Sequence, residues 1–130
     1  MVSPARRLSF LAKGTAEVTT YYAVITGDPG GDQEFRALHR HPLSPGEVAF
    51  SFEAENFEND QELDDYFART FLPLSVVAER EGGTIEPQEA RQTFASAVTF
   101  ANVLRDHAHY AAIRINAADG KLVRRLARRS

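Results

Sequence analysis

From Ala16 to Thr26 the chain reads "AEVTTYYAVIT", rich in β-branched and aromatic residues. Apolar side chains fall on both faces: Val18, Tyr22 and Val24 on one, Tyr21, Ala23 and Ile25 on the other. That pattern predicts a central strand, because each face of such a strand meets packed material. "GDPGGD" then signals a turn, glycine tolerating positive φ and proline fixing a bend. "EFRALHRH" alternates and predicts the returning strand, broken by "PLSPG" because Pro42 has no amide to donate. "EVAFSFEA" alternates again, with Val48, Phe50, Phe52 and Ala54 on one face and Glu47, Ser51 and Glu53 on the other. Three strands joined by short connections predict an antiparallel meander with one buried face.

The period changes after Asn59. Asn59 or Asp60 suits an N-cap, acids fill the first turn, and Leu63, Tyr66, Phe67 and Phe71 recur at helical spacing. Pro73 is expected to end or kink this helix, leaving Leu74 to Glu81 as its continuation or a second short helix, closed by Gly82-Gly83. "EPQEARQTFASAVTFANVLRDH" is expected to be a long helix with Pro87 in its first turn and a stripe of Phe94, Val98, Ala101 and Leu104. "AHYAAIRINA" predicts a late strand ended by "ADG", and Leu122, Val123 and Leu126 allow a short helix in the last residues. Together these elements predict an α+β fold: an antiparallel sheet of about four strands, a three-stranded N-terminal meander plus a late strand, with two or three helices packed on one face.

At 130 residues, 43% of them hydrophobic and 25% charged, the chain is expected to form a single domain over residues 1–130. Residues 1–14 read as an N-terminal extension and residues 120–130 as a basic C-terminal tail. The chain has no cysteine, so thiolate catalysis, disulfides and cysteine-ligated metal sites are excluded. No apolar run approaches the ~20 residues of a membrane span. A cytoplasmic location without a membrane span is the expectation.

Charge is unevenly placed. The net charge is −3, yet the last ten residues, "KLVRRLARRS", hold five bases and no acid, so residues 1–120 carry −8. Between Glu53 and Asp65 lie seven acids and no base: Glu53, Glu55, Glu58, Asp60, Glu62, Asp64 and Asp65. Helix capping and ordinary solubility account for such a run, and so does a surface that matches a basic partner. Arg124, Arg125, Arg128 and Arg129 make the mirror-image candidate, for nucleic acid, another protein surface, or the chain's own acids. No aromatic residue is interleaved with them, which weakens the nucleic-acid reading.

All four histidines fall in two His-x-His pairs, His39 with His41 and His107 with His109. Residues i and i+2 of a strand share a face, so each pair presents two imidazoles together. Were the second and the late strand antiparallel neighbours, the pairs would converge beside Asp106, as ligands for a divalent transition metal such as zinc. Strand-end polarity and a helix C-terminus explain the same residues without a metal. No phosphate loop, nucleophile elbow or helical metal motif is present. A pocket lined by Tyr21, Tyr22, Phe50, Phe52, Phe94 and Tyr110 is a further reading, for which core packing is the simpler account. The sequence therefore leans away from catalysis. It points to a small binding or adaptor protein that needs no cofactor and engages a protein partner through the acidic strand–helix region and the basic tail. Homo-oligomerisation is expected alongside, because Phe94, Phe100 and Leu104 surround more than one face of the long helix. The alternative is a metal-binding protein or metal-dependent enzyme using the histidine pairs.

Overall fold

The computed structural model describes residues 18–28, 32–42, 47–107 and 109–128. The expected N-terminal extension and Arg129 lie outside those residues. The fold is α+β, with two antiparallel sheets and two helices. β1 (Val18–Thr26), β2 (Glu34–Leu38) and β3 (Glu47–Glu55) form the first sheet, in the order β2-β1-β3. α1 (Asp60–Phe71) leads into β4 (Leu74–Glu79) and β5 (Ile85–Arg91); α2 (Phe94–His107) precedes β6 (Ala112–Asn116) and β7 (Leu122–Ala127). These last four strands form the second sheet, in the order β5-β4-β6-β7.

The meander forms as its alternation dictates. β1 is central, pairing Ile25 with Phe35 of β2 and Tyr21 with Phe52 of β3. Its inward residues Tyr21, Ala23 and Ile25 are fully buried, and α1 lays Leu63, Phe67 and Phe71 against that side. Asn59 is the N-cap: its side chain accepts from the Glu62 amide at 2.9 Å, and the Glu62 carboxylate accepts from the Glu58 amide at 3.0 Å. The helix stops at Leu72, whose backbone is extended, and the Leu72–Pro73 peptide bond is cis.

Three expectations about secondary structure need correction. Leu74 to Glu79 is a strand and not a helix: Leu74, Val76 and Ala78 turn into the core, and Val77 on the opposite side is 8% exposed. A short apolar run of this kind carries no period to separate strand from helix, and its pairing partners decide. Glu86 to Arg91 does not begin the long helix. It forms the edge strand β5, where Pro87 is tolerated, reached through a turn with Gly82 and Gly83 at φ +91° and +92°. α2 starts at Phe94 instead, after Thr93, whose hydroxyl accepts from the Ser96 amide at 3.1 Å. The basic C-terminal stretch is strand β7 and not a short helix; it pairs with β6 across the turn at Ala117–Lys121.

One apolar core joins all of this. Leu74, Val76, Ala78, Ile113 and Ile115 of the second sheet meet Phe94, Ala97 and Ala101 of α2, and the cluster continues into the first sheet and α1. The sheets approach each other where β3 lies near β7. There Arg124 donates to Gln33 Oε1 at 3.2 Å and Glu47 Oε1 at 2.9 Å, with its guanidinium 5.1 Å from the Phe94 ring centroid.

Candidate interaction surface

The acids between β3 and α1 are held outward by the packing of their neighbours. Phe52 turns into the core, so strand alternation sends Glu53 and Glu55 to the opposite side of the sheet. In α1 the buried stripe is Leu63, Phe67 and Phe71, which leaves Gln61, Glu62, Asp64 and Asp65 in solvent. The structure thus divides the acidic run: Glu53 and Glu55 flank the sheet, while Glu58 to Asp65 crown the start of the helix. Tyr21 fixes the corner between them, its hydroxyl donating to the Glu55 carbonyl (3.2 Å) and accepting from the Phe57 amide (3.0 Å).

Pairing distinguishes this region, together with Asp28, Asp32 and Glu34 at the β1–β2 connection, from the chain beyond residue 79. Among the described residues, none of the seven acids from Glu53 to Asp65 makes an ion pair with lysine or arginine; Asp60 alone has a basic neighbour, His39 Nε2 at 3.0 Å. From residue 79 onward, every described acid has such a partner. Glu79 meets Arg114 and Arg125, Glu81 meets Arg128, Glu86 meets Arg80, Glu89 meets Arg91, Asp106 meets Arg105 and Asp119 meets Lys121. The hydrogen bond from Arg125 holds the Glu79 carboxyl below its ordinary value, against the opposing pull of burial. Arg80 does the same to Glu86.

The basic residues singled out from the sequence are therefore engaged within the chain. Arg124 ties β7 to Glu47 and Gln33. Arg125 donates twice to Glu79, at 3.0 and 3.2 Å, and Arg128 donates to the Tyr110 carbonyl at 2.9 Å and pairs with Glu81 at 2.6 Å. Their partners are Glu47, Glu79 and Glu81 rather than the acidic run. The isolated "KLVRRLARRS" gave little sign of this, but Arg114 between Ile113 and Ile115 follows the strand alternation that marks an outward cation.

The histidine pairs are not brought together by strand pairing. β2 and β6 belong to different sheets, so the adjacency that would have joined them is not made. His107 is the last residue of α2 and His109 precedes β6, so the strand spacing assumed for them does not apply. His39 rests edge-on against Tyr21, ring centroids 5.3 Å apart. His41 packs at the same distance against Tyr22, with Nδ1 3.0 Å from the Pro42 carbonyl. Among the described residues no group of three His, Asp or Glu side chains is gathered as a metal site. Of the aromatics considered for a pocket, Tyr21, Phe52 and Phe94 are buried core, and Phe50 and Tyr110 pack against it. No helix of the described residues is long and apolar enough to cross a membrane. The chain matches no protein-family model, no curated protein and no solved structure.

Proposed function

We propose that this protein is a non-catalytic binding protein of the cytoplasm, and that it docks a basic protein surface against the acids at the start of α1 and the end of β3. The observation that carries this reading is the contrast in pairing. Glu47 and every described acid from residue 79 onward are matched by the chain's own arginines and lysines, while the seven acids from Glu53 to Asp65, the densest run of acids in the sequence, have no such partner among the described residues. A concentrated field of one sign raises the encounter rate with an oppositely charged surface and sets its orientation. The internal engagement of Arg124, Arg125 and Arg128 favours the acidic surface over the basic segment as the contact.

Truncating the basic segment is not a usable test, since it removes β7 with buried Val123 and Leu126. The test is capture from a cell extract on the immobilised full chain. Wild type is compared with Asp64→Asn/Asp65→Asn and with Thr84→Lys/Gln92→Lys, which makes the same net-charge change of two at exposed positions elsewhere. Wild type and the second variant should retain the same discrete basic proteins, released as salt rises; the first should lose them. Recovery of one identical set on all three chains would show that the acidic surface is not the contact.

A further inference from the structure

The second sheet has a face that neither helix covers. α2 packs on the side of Leu74, Val76, Ala78, Ile113 and Ile115. By alternation the other side carries Val77 and Glu79 of β4 and Arg114 of β6. The register extends this face to Ile85 beside Glu79, and to Arg125 opposite Arg114. Two guanidinium groups thus sit directly across a strand pair and share one carboxylate. Arg125 holds Glu79 with two hydrogen bonds; Arg114 Nε lies 3.7 Å away, buried and without a hydrogen bond. Like charges opposed across strands repel, and one carboxylate neutralises only one of them. The rim of the face is apolar, with Ile85 49% and Leu122 39% exposed, two of the four large hydrophobics the described residues leave in solvent. An arginine centre with an aliphatic border is the composition of a protein contact rather than of a solvated sheet face.

We infer that this face receives the acidic α1 surface of a second copy of the chain. The inference rests on the function proposed above and names the partner. Charge complementarity selects the occupant. The face has an uncompensated guanidinium, and the densest group of described acids without a lysine or arginine partner, Glu53 to Asp65, lies along the end of β3 and the start of α1, which pack with the other sheet. Two such faces cannot dock on each other, because four arginines would then meet two glutamates. The contact is therefore head-to-tail, each copy offering an acidic surface to one neighbour and an arginine face to the next.

Sedimentation velocity on the full chain tests this. Wild type should sediment as species larger than the 14.4 kDa chain in dilute buffer, with apparent affinity weakened roughly tenfold or more at high salt. Arg125→Glu and Asp64→Asn/Asp65→Asn should each be monomeric alone. Mixed, they should form a complex of twice the chain mass and stop there, since one intact junction remains between them. Ile85→Glu leaves the Arg125–Glu79 pair in place and should behave as Arg125→Glu does, which keeps the test open if Arg125→Glu fails to fold. A wild type monomeric at every concentration and salt overturns the inference, as does assembly that survives both Arg125→Glu and Ile85→Glu, or a mixture that yields no dimer. If the monomer still captures basic proteins through Asp64 and Asp65, the binding function stands and only the second copy is removed as its partner.

Discussion

The two sheets bury one face each, with different chemistry. Around β2-β1-β3 and α1 the packing is aromatic: Phe52 sits at ring-centroid distances of 4.9 Å from Phe71, 5.8 Å from Tyr21 and 6.1 Å from Tyr66, and Phe35 lies 4.8 Å from Phe67. Around β5-β4-β6-β7 and α2 the core is largely aliphatic, and arginines lie over the rings of Tyr110, Phe100 and Phe94. The charges divide along the same line: in the first region Glu47 is the one described acid that meets an arginine, while every described acid of the second is paired. Rings supply the buried area of the first region, so its acids, apart from Glu62 at the helix cap and Glu47 at Arg124, are free for another task. In the second region cations both cover apolar surface and cancel acids, so its charges are part of the structure. Surface ion pairs contribute little to stability one by one, and the contrast therefore matters for where the molecule is charged more than for how stable it is.

Three measurements would break or sharpen this comparison. The largest effect is expected from Phe52→Ala, which opens the ring cluster and should cost about 3–5 kcal/mol in denaturant unfolding. A loss under 1 kcal/mol would mean that the aromatic packing does not hold the first region. Next is Arg124→Ala, which removes the tie from β7 to Gln33, Glu47 and Phe94 and should cost roughly 1–3 kcal/mol. Arg124→Lys should recover only part of that, because an ammonium cannot span both acceptors with a planar fork. Full recovery by lysine would reduce the tie to simple charge.

The smallest effect is a pH dependence in the second region. Glu79 has its carboxyl lowered below 4.5 in the fold, first by the Arg125 hydrogen bond. Its pairing should therefore stabilise fully above that value and lose its contribution as pH falls through the lower folded value. Unfolding of wild type and Glu79→Gln, compared by urea denaturation, should show a gap that is constant near neutral pH and closes in acid. A gap that widens in acid would reverse the sign and remove the carboxylate pairing as its cause.

Much of the fold was legible in the residues. The alternation of "EVAFSFEA", the N-cap at Asn59 and the stripe of Leu63, Phe67 and Phe71 each reappear where local physics puts them. The Gly82-Gly83 pair between two strand-like runs was also a readable hairpin signal, obscured by Pro87, which suits a helix start as well as an edge strand. The interaction surface was legible only in half. The run from Glu53 to Asp65 is plain in the sequence, but the arginines near the C-terminus looked like its counterpart until β7 placed them beside Glu47, Glu79 and Glu81.

The sequence by itself determined what depends on near neighbours: the first three strands, the cap and buried stripe of α1, the absence of thiol chemistry, and the uneven spread of charge. Tertiary structure decided whatever depends on partners far along the chain. Leu74–Glu79 became a strand because long-range pairing with β6 satisfies backbone groups that a helix would have satisfied locally, and Leu122–Ala127 because it folds back on β6 once that strand has its place beside β4. The same pairing decided which acids find a cation. Coulomb attraction acts between groups that the fold brings within a few ångströms, and distance along the chain does not encode that proximity.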